Sequence, residues 1–77
     1  MEAAPFDLNA LDPGSSLFVP ALRVWGVLAD AVYQADHNKI PVSYRVTVVD
    51  GKYGVLFTRL RGVGAGLRNE DTKDKGY

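Results

Sequence analysis

The chain has 77 residues, no cysteine, and nine acidic against nine Lys/Arg side chains. A length of this order holds one small domain at most, and the missing thiols exclude a disulfide framework or a thiolate metal site. Zero net charge argues against a generic polyanion binder, yet the charges are unevenly placed: residues 1–38 carry five acids and one base (−4), residues 39–68 six bases and one acid (+5), and residues 69–77 three acids and two bases (−1). With the usual staples of small proteins absent, oligomerisation or a partner is the remaining reinforcement. A −4 block beside a +5 block suits packing between copies, or a basic partner-binding face.

Residues 1–16 contain Pro5 and Pro13-Gly14 and show no sustained periodicity, which predicts an extended arm. Phe6, Leu8 and Leu11 give that arm more apolar content than a solvated tail carries, so it is expected to lie in a groove of its own domain or of a neighbour. No positively charged region precedes an apolar run, which predicts no signal peptide and an intracellular or virion location.

Asp12-Pro13-Gly14-Ser15-Ser16 reads as a turn leading into one long helix. Pro20 suits a first helical turn, so the helix is expected to start between Ser16 and Pro20 and to run to about Asn38, with Asn38 as the left-handed cap and Pro41 preventing continuation. Ala21, Trp25, Leu28, Val32 and Ala35 form a heptad-like stripe, which Val24, Val27 and Ala31 widen beyond half the circumference. Arg23, Asp30, Gln34 and His37 make the remaining narrow polar strip. So wide an apolar surface predicts burial against the arm, a second copy or another protein. Arg23 and Asp30 interrupt the run from Leu17 to Tyr33, which is also too short for a membrane span.

Val42 to Arg61 reads as a β-hairpin closed at Asp50-Gly51, since a type I′ turn needs φ > 0 at both central residues. A two-residue loop there opposes Val49 to Lys52, Val48 to Tyr53, Val46 to Val55, Tyr44 to Phe57 and Val42 to Arg59. One face then carries Val42, Tyr44, Val46, Val48, Tyr53, Val55 and Phe57, and the other is mostly polar. Gly62-Val63-Gly64-Ala65-Gly66 is predicted to be a flexible connector, and Asn69–Tyr77 a polar tail.

Chemical motifs are few. The glycine run lacks the G-x-G-x-x-G spacing and any P-loop lysine. His37 is the only histidine and has no spaced co-ligands or nucleophile, so neither a metal site nor a catalytic set assembles and no cofactor is expected. Lys39-Ile40-Pro41-Val42-Ser43 with Val49-Asp50-Gly51-Lys52-Tyr53-Gly54 resembles the helix exit and first hairpin of Sm-like RNA-binding ring proteins. The later strands of such a barrel have no counterpart in Gly62–Tyr77, and that fold is not adopted.

The sequence thus predicts an α+β fold with an extended N-terminal arm (1–16), a core of one long apolar helix and one two-stranded antiparallel hairpin (17–61), and a Gly-rich connector with a flexible C-terminal tail (62–77). The expected function is that of a small non-enzymatic structural or interaction protein, completed by copies of itself or by other subunits, as in a minor or cement protein of a viral particle. Its expected interface residues are Phe6, Leu8, Leu11, Trp25, Leu28 and Val32. The alternatives are a basic β-ribbon nucleic-acid binder or regulator using Arg45, Arg59 and Arg61, and a phage-type inhibitor of a host protein. Nucleic acid is the less favoured partner, because the hairpin aromatics fall on the apolar face and Arg45 on the other.

Overall fold

The structure is a computed structural model and describes residues 6–62 and 66–70. One helix, α1 (Val24–His37), packs on one face of a four-stranded mixed sheet of β1 (Ser16–Pro20), β2 (Pro41–Val49), β3 (Lys52–Arg59) and β4 (Gly66–Asn69). The strand order is β1-β3-β2-β4, antiparallel except for the β2–β4 pair. This corrects the predicted two-stranded hairpin with a long apolar helix: two further strands flank the hairpin, and the helix is shorter.

The hairpin itself pairs in the register read from the sequence, from Val49 opposite Lys52 to Val42 opposite Arg59. Asp50 and Gly51 both take positive φ, 53° and 75°, as the tight turn requires.

The first added strand lies where the helix was expected to begin. Leu17, Phe18 and Val19 pair with Phe57, Leu56 and Val55; Val19 is buried and the other two half-buried. Pro20 acts here through its effect on the preceding residue, which it pushes towards extended backbone, and it sits at the end of an edge strand where its missing N–H costs no ladder bond. The Ala21 N–H donates to the Tyr53 carbonyl at 3.0 Å, one step beyond it. β1 approaches its neighbour β3 closely at Gly54. A Cβ there would overlap the Val19 carbonyl oxygen and lie 2.8 Å from both Pro20 Cα and Phe18 Cζ.

The second added strand begins inside the predicted connector. Gly66, Leu67, Arg68 and Asn69 run parallel to Pro41–Tyr44. Leu60 N–H, donating to the Pro41 carbonyl at 2.8 Å, holds the exit of β3 across the start of β2. The predicted flexibility of positions 63–65 and of the tail at 71–77 lies outside the described residues, as does the arm at 1–5.

α1 joins β1 to β2, two parallel strands with β3 between them, so it crosses the sheet and buries one side. That side comprises Val24, Leu28, Ala31 and Ala35, spaced i, i+4, i+7 and i+11. The buried stripe is therefore turned from the one expected: Leu28 and Ala35 belong to both, but Trp25 and Val32 face outwards. Ala31 and Ala35 are fully buried, and such small side chains let the helix axis approach the sheet where a tryptophan would hold it off. Beneath them lie Val19, Val42, Val55 and Phe57. The helix ends with Lys39, not Asn38, in the left-handed conformation (φ 58°), and Ile40 N–H reaches back to the Ala35 carbonyl at 2.9 Å. That six-residue closure, with Ile40 and Ala35 both buried, is a Schellman ending.

The arm folds onto its own domain. Asp7 caps a short 3₁₀ turn, Leu8–Ala10, by accepting from Asn9 N–H at 3.0 Å. Leu8 is fully buried, and the Phe6 ring stacks on Phe57 with centroids 5.1 Å apart. Gln34 pins the segment from the helix: its Oε1 accepts from Leu8 N–H at 2.8 Å and its Nε2 donates to the Phe6 carbonyl at 3.3 Å.

Candidate protein-binding face

The sheet and arm use one side of α1 and leave the other uncovered. Trp25 is 80% exposed, Tyr33 62% and Val32 50%, with Gly26, Ala29 and Asp36 between and beyond them on the same outer surface. At the N-terminal end of the helix this surface runs into Leu22, which is wholly exposed, and into Tyr53 of β3, 53% exposed. Leu22, Trp25, Gly26 and Tyr53 line one groove of about 530 Å³, with Arg23 on its edge. Pro20, Ala21, Leu22 and Tyr53 line a second of about 300 Å³, edged by Lys52. Leu22 and Tyr53 stand between the two grooves, which makes the patch continuous. Single exposed apolar residues are ordinary on a protein surface; a contiguous set including a tryptophan, a tyrosine and a leucine is the kind of patch that makes this face a candidate contact site.

The expected interface residues divide between two destinations. Leu8 and Leu28 are buried in the chain's own core, and Phe6 and Leu11 are half-buried along the arm. Trp25 and Val32 remain on the open helix surface. Leu22, Tyr33 and Tyr53 join them there, although the sequence reading did not single them out as contact residues. Tyr33, eight residues after Trp25, lies about 80° round the helix from it, so spacing alone did not mark it.

The three hairpin arginines do not converge. Arg45 lies on the sheet face away from the helix, where it meets Glu70 at 3.2 Å. Glu70 also accepts from the buried Ser43 hydroxyl at 2.6 Å, so this cluster fastens the end of β4 to β2. Arg59 projects to the helix side and donates to the Leu11 carbonyl at 2.9 Å; its buried Nε has no hydrogen-bond partner among the described residues. Arg61 spreads its guanidinium over Gly14, whose φ of 88° and missing Cβ allow the contact. A strand passes side chains alternately to its two faces, so Arg45 and Arg59 cannot grip one phosphate backbone together.

The remainder of the exposed sheet face is mainly polar. Ser16 and Thr58 hydrogen-bond across β1 and β3 at 3.0 Å, beside the half-buried pair Phe18 and Leu56. Among the described residues no three His, Asp or Glu side chains gather as metal ligands, and no helix is long and apolar enough to cross a membrane. No protein-family model, curated protein or solved structure matches this chain.

Proposed function

We propose that this is a small non-enzymatic structural or interaction protein, completed by neighbouring subunits in a larger assembly, with the outer face of α1 as its contact surface. The observation that carries this reading is the exposure of Trp25, next to Leu22 and Tyr53, on a helix whose opposite side already closes a core. Aromatic side chains in a shallow apolar groove are the usual anchors of protein interfaces, because each removes a large area from water with few rotors to freeze. Minor or cement proteins of viral particles combine a minimal core with such surplus apolar surface, and a virion or intracellular setting goes with that comparison. Dispersal of Arg45, Arg59 and Arg61 over different parts of the surface favours this reading over the basic-ribbon one. Light scattering on the chain over a wide concentration range tests it. The expected result is a mass that rises above the 8.4 kDa of one chain; a folded particle of constant single-chain mass throughout overturns it.

A further inference from the structure

The outer surface of α1 identifies its own partner through charge. A helix favours acids at its N-terminus and bases at its C-terminus, because the peptide dipoles sum to a positive and a negative end. α1 begins the wrong way: its N-cap is Arg23, no side chain caps the first amides, and the first turn holds no acid. Its last turn carries Asp36 on the exposed surface, although His37 beside it has the favourable sign. Arg23 at the first end and Asp36 near the second thus oppose the dipole, while His37 and Lys39 at the C-terminal end favour it.

A second copy laid antiparallel answers Arg23 and Asp36 together. Its Asp36 comes to the uncapped amides and Arg23 of the first, and its Arg23 to the Asp36 of the first. The apolar surface has the matching symmetry. At 100° per residue Trp25, Gly26, Ala29, Val32, Tyr33 and Asp36 lie along one side of the helix. The apolar members are disposed about a single midpoint: Trp25 with Tyr33, and Gly26 with Val32, each pair centred on Ala29. A two-fold axis at Ala29 therefore sets Trp25 against Val32 of the second copy, and lays Tyr33 of that copy over Gly26, where among the described residues nothing beyond the flanking residues and the helix's own backbone lies within 4 Å of a Cβ position. An isologous contact requires this kind of self-complementarity.

Resting on the interaction reading above, we infer that the occupant of this face is a second copy of the chain, forming a two-fold dimer through antiparallel α1 helices with Ala29 on the axis.

The chain has no cysteine, so Ala29→Cys gives an uncluttered probe. Ala29 is exposed and its replacement leaves the core untouched, which circular dichroism checks. On mild oxidation Ala29→Cys is expected to cross-link to a dimer, whereas Asp50→Cys at the hairpin tip stays monomeric under denaturing electrophoresis. Ala29→Glu opposes two like charges on the axis and should raise the dissociation constant roughly a hundredfold. Arg23→Asp and Asp36→Arg should each weaken pairing by roughly five- to thirtyfold, the contact occurring twice per dimer, and together restore it. Assembly that persists in Ala29→Glu, without cross-linking of Ala29→Cys, overturns this pairing and leaves the interaction reading standing. A folded, concentration-independent monomer overturns both.

Discussion

Gly54→Ala tests the close approach of β1 to its neighbour β3 at the Pro20–Gly54 step of their ladder. The added methyl would meet the Val19 carbonyl oxygen and Pro20 Cα, which are backbone atoms that no rotamer change can move. Ordinary carbon contacts lie near 3.5–4.0 Å, so β1 must withdraw by about 1 Å at this point. Withdrawal strains the Pro20–Gly54 step of the ladder and the Ala21 N–H bond to Tyr53, and loosens Val19 from the core. Overpacking of this kind costs about 1–3 kcal/mol, which in a domain of this size lowers the melting temperature by about 4–8 °C per kcal/mol. The reduced backbone entropy of the unfolded alanine chain offsets only about 0.4–1 kcal/mol of that. Urea unfolding followed by circular dichroism measures the difference, and amide exchange at Ala21 localises it. Stability equal to or above that of the native chain, with Ala21 still protected, would refute the assigned close approach of β1 to β3.

Phe57→Ala removes a fully buried ring and its stack with Phe6, for an expected loss of about 3–5 kcal/mol and extensive unfolding at ambient temperature by near-ultraviolet circular dichroism. Trp25→Ala, in contrast, should leave the stability of the isolated subunit within about 0.5 kcal/mol while weakening assembly, as read by denaturation at low concentration and by light scattering at high concentration. Gln34→Ala cuts both hydrogen bonds to the arm, and limited proteolysis should then cleave near Leu8–Leu11 before the core is attacked. Changing Arg45, Arg59 and Arg61 together to Gln should leave nucleic-acid affinity negligible, as before. Submicromolar binding at physiological salt by the native chain, abolished in the variant, would restore the basic-ribbon alternative.

What the sequence made legible was the hairpin, because Asp50-Gly51 and the alternation around it are independent signals that fix the same register. β1 was hidden by Pro20, which serves equally well at a helix start and at the end of an edge strand; Leu17, Phe18 and Val19 form a short apolar run without the alternation that would decide between the two. β4 was hidden by its glycines, and Leu67 alone signals its buried side. The helix was legible, but its inner face was not, since apolar residues surround most of it. The sheet selects the side bearing Ala31 and Ala35, and thereby turns Trp25 outwards. Of the apolar residues expected at an interface, Leu8 and Leu28 serve the chain's own core, while Trp25 and Val32 stay exposed, as do Leu22, Tyr33 and Tyr53. Charge at the helix ends was visible throughout, but its meaning depends on knowing which residues face out.

Trp25 is the only tryptophan, so its fluorescence reports directly on the central claim that the outer face of α1 is the contact surface. Emission recorded over the concentration range in which the mass rises should move from the wavelength of a hydrated indole to a shorter one, with acrylamide quenching falling in parallel. Emission that stays at the hydrated wavelength, fully quenchable, while the mass rises would place the contact elsewhere on the molecule and contradict the account.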